Sequence, residues 1–228
     1  MTRSITGIIF LLQLFAWSSV LYAQTDDFGL WANIQVRKDV SKKIRLAVEE
    51  EFRFYENVTR LDEAFTDFSL AYKINDYLSI AGCYRFIQDP VREGYTSKQH
   101  RFYTNINAEY DISHINIQYR IRLQTKYRDM YSDDGGLIPE DYFRNKLRIR
   151  YDLRNSRFFP FVSGELYLNL TASERKEFNK LRISAGTEYE FKNSNKAEVF
   201  IRYQKPFNIP APERSVIIGL CYIFSLRG

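Results

Sequence analysis

The sequence predicts an all-β chain: an antiparallel transmembrane β-barrel of about 10–12 strands around a polar, charged lumen. Three observations carry that expectation. Apolar and polar residues alternate with a period of two over segments of roughly ten residues, the length of a tilted membrane strand. Connections are short after odd-numbered segments and longer after even-numbered ones, as between the periplasmic and external ends of an outer-membrane barrel. The final segment, Ser215–Phe224, places Ile218, Leu220, Tyr222 and Phe224 on one face and ends in aromatics two apart. Closing strands of such barrels commonly finish this way.

Before the first segment, Arg3 precedes a mostly apolar run from Ile5 to Val20, and Ala23 stands before Gln24. This pattern predicts a secretory signal peptide over residues 1–23 and a barrel domain over 24–228. The apolar run is shorter than the ~20 residues of a helical span. Gln24, in place of Cys, argues against lipidation.

The segments follow in order. Phe28, Leu30, Ala32, Ile34 and Val36 oppose Trp31, Asn33, Gln35 and Arg37, and Lys38–Lys42 turns the chain. Ile44, Leu46, Val48, Phe52 and Phe54 oppose Arg45, Glu49, Glu51 and Arg53. Glu50 falls on the apolar side, so a β-bulge within Glu49–Glu51 is expected to turn it away. A polar stretch, Glu56–Glu63, leads to Thr66–Ile74, and the turn Asn75–Tyr77 to Leu78–Phe86. Gln88–Lys98 reads as a loop. Phe102–Tyr110, the turn Asp111–His114 and Ile115–Lys126 follow, then a long loop, Arg128–Asp141, containing Asp133 and Asp134. Phe143–Leu153, Phe158–Leu170, Leu181–Phe191 and Ala197–Gln204 complete the series, with Lys205–Arg214 before the last strand. These make eleven segments, although bacterial barrels have even strand numbers. The parity is left open by the sequence.

Composition narrows the class. Mean hydropathy is −0.40, and charged residues make up 27%. An alternating barrel cancels its own average in this way. The 17 Tyr and 18 Phe suit interfacial girdles. A net charge of +5 spread over many strands gives no basic patch for nucleic acid. Cys83 and Cys221 lack any ligand spacing and read as small, unpaired strand residues. A closed sheet of this size leaves more room than side chains just fill, which favours charges inside and lipid outside over a soluble ligand-binding barrel.

Several short motifs carry a family likeness. They are Phe28–Trp31, the Lys42–Lys43 turn before a Glu-rich strand ending Phe52–Phe54, Gly82 with Tyr84–Phe86, His100–Tyr103, Asn145–Arg150, and Pro160–Phe161 with Glu165. Over nearly the whole chain after Ala23, the sequence resembles a family of Gram-negative outer-membrane barrels known only as a domain of unknown function. That likeness implies the fold and no activity.

For chemistry, the inward faces are the informative part. Arg120, Arg122, Arg144, Lys146, Arg148, Arg150 and Arg182 form a basic set, the first six on two consecutive strands. Glu49, Glu51, Glu109, Glu165, Glu188 and Glu190 form an acidic set, mostly on other strands. Such a lumen either biases permeation by its transverse field or holds the barrel shut through ion pairs. Catalysis needs a nucleophile within reach of a base. Only His100, with Ser97 nearby, and His114, beside Ser113, offer a base, and neither has the H-x-S spacing of outer-membrane lipases. No catalytic residue, metal ligand or cofactor is assigned. The expected partners are outer-membrane lipid, lipopolysaccharide and the barrel assembly machinery. A lipid hydrolase and a soluble periplasmic barrel remain the alternatives.

Overall fold

The computed structural model describes residues 26–90, 96–128, 139–171, 178–208 and 213–226. The expected signal segment and the Asp133–Asp134 loop lie outside the described residues. Eleven strands form the wall: β1 Asp26–Asp39, β2 Ile44–Tyr55, β3 Arg60–Lys73, β4 Leu78–Pro90, β5 Thr96–Ile112, β6 Ile115–Arg128, β7 Glu140–Tyr151, β8 Phe158–Asn169, β9 Phe178–Glu190, β10 Lys196–Pro206 and β11 Arg214–Leu226.

Each strand pairs antiparallel with its sequence neighbours, and the sheet closes through β1 and β11. With an odd count the first and last strands run the same way, so this one junction is parallel, from Asp26↔Arg214 to Lys38↔Leu226. All eleven segments are therefore wall strands, and closure leaves no edge to cap.

Alternation sets the two faces. Outward-pointing Leu70, Leu123, Val162 and Ile201 are each more than half exposed, while inward-pointing Trp31, Phe65, Arg85 and Arg122 are buried. The inside carries the charges and the outside the aliphatic side chains. Aromatics gather near the strand ends. Phe158, Tyr189, Phe191, Tyr222 and Phe224 form a chain of ring contacts 4.5–5.8 Å between centroids across β8–β11. The closing aromatics Tyr222 and Phe224 thus belong to a belt.

Two local expectations are overturned. The bulge is not within Glu49–Glu51: Glu49, Glu50 and Glu51 pair in unbroken register with Gln35, Ile34 and Asn33. The irregularity on β2–β3 lies between Arg53 and Phe54, where Asp62 is the extra residue. Placed there, it keeps Glu51 and Arg53 on one inner face, where they pair at 2.5 Å. Glu50 consequently stays on the outer face between Ile34 and Thr66.

The second correction concerns the connections. From residue 113 onward short and long ones alternate, but 56–59 is as short as 40–43, and 91–95 is shorter than 152–157. The second half of the polar stretch Glu56–Glu63, from Arg60 on, enters β3. Glu56, Asn57 and Val58 reverse the chain with φ of 52°, 57° and 67°, and Thr59 N–H donates back to the Glu56 carbonyl at 3.2 Å.

Inside the wall, Phe200 on β10 stands opposite Gly186 of β9 and Gly219 of β11. Its ring covers Gly219, where an added Cβ would meet Phe200 Cζ at 2.0 Å. Gly219→Ala must therefore push the ring toward Arg202, whose guanidinium lies 4.6 Å from its centroid. An overpacking cost of about 1–3 kcal/mol is expected. Urea midpoints of the two proteins in micelles measure it, and equal midpoints would contradict this packing role.

Candidate functional site

Two like-charge cross-strand pairs define one side of the lumen. On β6 and β7, Arg120 faces Lys146 and Arg122 faces Arg144. The next strand supplies one carboxylate, Glu165, in register with Lys146 on one side and Arg182 on the other. Glu165 Oε1 accepts from Arg120 at 2.6 Å and Arg144 at 2.8 Å. Its Oε2 accepts from the Tyr167 hydroxyl at 3.2 Å and lies 3.9 Å from Arg182. Arg182 also donates to Tyr167 and to Gln204.

The opposite side is acidic. Glu49 stands opposite Asp67, and Glu51 opposite Phe65, on β2 and β3. Arg85 donates to Asp67 at 2.7 Å, and the Tyr103 hydroxyl reaches the same oxygen. Arg53 bridges Glu51 and Glu63, each at 2.5 Å.

A third network ties together β7, β9 and β10 toward the end where residues 152–157 and 191–195 turn. Arg148 donates to Glu198 at 2.8 Å and Arg150 to Glu188 at 2.9 Å, while Lys196 reaches Glu188 at 2.8 Å. The Arg148 and Arg150 contacts skip strands, so they fasten wall segments that share no backbone ladder, while Lys196 and Glu188 lie on the paired strands β10 and β9.

Between these sides stands Trp31. The Arg53, Arg202 and Arg182 guanidinium carbons lie 4.0, 4.6 and 5.0 Å from its ring. They reach it from β2, β10 and β9, so cations and an aromatic ring narrow the lumen. Aromatic faces attract guanidinium groups, and for Arg202, which forms no salt bridge among the described residues, the ring takes the place of a carboxylate.

A cavity of about 1140 Å³ occupies the interior. Glu49, Glu51, Arg120, Arg122, Arg144, Lys146, Glu165 and Arg182 from the sequence-derived set line it. Arg148, Arg150 and Glu188 are engaged in the third network instead. Glu109 is exposed and accepts from Asn116 and Gln118 at the strand end, and Glu190 lies 3.8 Å from Lys196. Trp31, Arg53, Asp67, Arg85, Arg202 and Tyr167 were not singled out in the sequence. Their inward parity was readable, but only the closed topology brings β1 against β10 and β9. Among the described residues, the lining cations Arg101, Arg122, Lys146, Lys180 and Arg202 form no salt bridge.

The histidines stand apart from the lumen. His100 points outward with Phe86, and its Nδ1 lies 2.8 Å from the Tyr84 hydroxyl. Ser97 is buried and lies on the opposite face of β5, three residues away. His114 sits in the 113–114 turn, with its Nε2 3.3 Å from Arg154 Nε.

A family model described as "Protein of unknown function (DUF2490)" matches residues 28–214. The chain belongs to this family. The motifs from Phe28 to Glu165 that suggest the resemblance all fall inside the match. No protein of curated function matches the chain. Among solved structures, the beta domain of the Bordetella autotransporter BrkA is similar with a TM-score of 0.48 and 8% identity, covering 78% of this chain and 82% of that one.

Proposed function

We propose that this family member is an outer-membrane β-barrel that gives small polar solutes a narrow passive route, without enzymatic activity. The observation that carries the reading is the division of the wall into an aliphatic exterior and a charged interior enclosing a cavity. A water-soluble monomer rarely exposes continuous apolar patches beyond a few hundred Å², yet here apolar side chains point outward from every strand. Lipid is the solvent that suits them, and a barrel is the one sheet that satisfies its backbone there. Outer-membrane lipid and lipopolysaccharide would surround the wall, and the Tyr222–Phe224 strand end would be read by the assembly machinery. Catalysis is no part of this reading, because His100 and Ser97 stand on opposite faces.

The stack of Arg53, Trp31 and Arg182 favours a second version, a purely structural barrel whose lumen is too narrow to conduct. Planar bilayers separate the two. The passive route predicts small ohmic steps with anion preference, and Arg122→Glu should lower the anion-to-cation permeability ratio. Silence under all voltages would leave the structural barrel. Extraction without detergent, together with a gel mobility unchanged by boiling, would favour a soluble barrel and defeat both.

A further inference from the structure

The β6–β7–β9 side of the lumen holds more positive charge than its protein partners neutralise. Arg120 faces Lys146 and Arg122 faces Arg144 in direct register, a placement that destabilises a sheet when nothing lies between the charges. Glu165 is the carboxylate that touches this group, and its oxygens are already taken by Arg120, Arg144 and Tyr167. Lys146, in register with Glu165, makes no ion pair among the described residues. Arg122 is buried against neutral partners, the Asn105 side-chain oxygen at 2.7 Å and the Tyr103 ring at 3.9 Å. The buried Arg120 Nε has no hydrogen-bond acceptor.

We propose that this wall is a binding site for a small solute carrying a phosphate group, with Lys146, Arg122 and Arg120 as its recognition residues. The proposal rests on the lumen being open to small solutes. More than one positive charge is left over, so a multivalent anion fits better than chloride. Phosphate also offers several acceptor oxygens to guanidinium forks, and lysine supplies a point charge beside them. The cavity of about 1140 Å³ exceeds a phosphate ion, and Tyr142 in its lining offers an organic moiety an aromatic ring. Glu165 then orients Arg120 and Arg144 and lowers the charge the ligand must match.

The test is calorimetric titration of the folded barrel in non-ionic micelles with inorganic phosphate, with chloride keeping the ionic strength constant. A saturable heat is expected, with succinate binding more weakly. Lys146→Gln and Arg122→Gln should each weaken phosphate by about tenfold or more, while Lys146→Arg retains most of the affinity. Lys42→Gln, in the exposed turn, should bind as the parent does. Heat-dependent gel mobility checks that each variant is folded. No saturable heat, equal affinity in folded Lys146→Gln and Arg122→Gln, or succinate binding as tightly as phosphate would each overturn the proposal. Because micelles require no conduction, phosphate binding by a barrel silent in bilayers would refute the passive route and leave this site standing.

Discussion

Replacing Glu165 with glutamine is expected to destabilise the barrel by about 3–5 kcal/mol, because it strips the anion from a buried cation cluster. Glu165 receives Arg120 at 2.6 Å and Arg144 at 2.8 Å, and Arg182 lies at 3.9 Å. Arg144 and Glu165 are both buried, so water screens their loss poorly. Glutamine keeps the shape and one acceptor oxygen but removes the charge. Urea unfolding in micelles, followed by the fluorescence of Trp31, measures the loss directly. Arg144→Met in the Glu165→Gln background should recover part of it, since it removes a cation that has lost its partner. Added phosphate should narrow the gap if the lumen anion takes over the neutralising role. A loss below about 1 kcal/mol, the range of exposed pairs, would mean the lumen is wet enough to make this network dispensable.

The prominence of Glu165 was only partly legible beforehand. Period-two alternation put it inside with the basic residues of β6 and β7, and it located β2 at Ile44–Tyr55. What alternation lacks is distance. Arg148–Glu198 and the Trp31 contacts to Arg182 and Arg202 depend on which strands closure makes neighbours. The parallel β1–β11 junction was implied by an odd count, but precedent for even-numbered barrels obscured it. The Glu56–Val58 reversal escaped because no Gly, Pro or Asn-Gly signal marks it. Three consecutive residues with positive φ are costly for side chains such as Val58, so sequence rules assign that stretch to a longer loop. The bulge was misplaced for a similar reason. Glu50 looked like a residue to be hidden, whereas the register is decided by pairing Arg53 with Glu51 and Glu63.

That outward Glu50 leads to the substitution that most sharply separates lipid from water around the wall. Ile201→Lys should destabilise the barrel by about 2–4 kcal/mol if the middle of β10 faces the bilayer core. Ile201 is 54% exposed, and Ala185 and Ile218 flank it in register, so the new ammonium would find no carboxylate beside it. In water the same change would place lysine on a solvated surface, where substitutions usually fall within about 0.5 kcal/mol, and would make the protein more soluble. The two surroundings thus predict losses of different size from one measurement, reversible unfolding in lipid vesicles. Glu50→Leu should move stability the other way, since it removes the acid that interrupts the aliphatic exterior between Ile34 and Thr66. Acids cost less than bases at such positions, so its gain should be smaller than the Ile201→Lys loss. If Ile201→Lys were neutral and Glu50→Leu unfavourable, the exterior would have to be covered by something other than lipid, and the passive route would lose its basis.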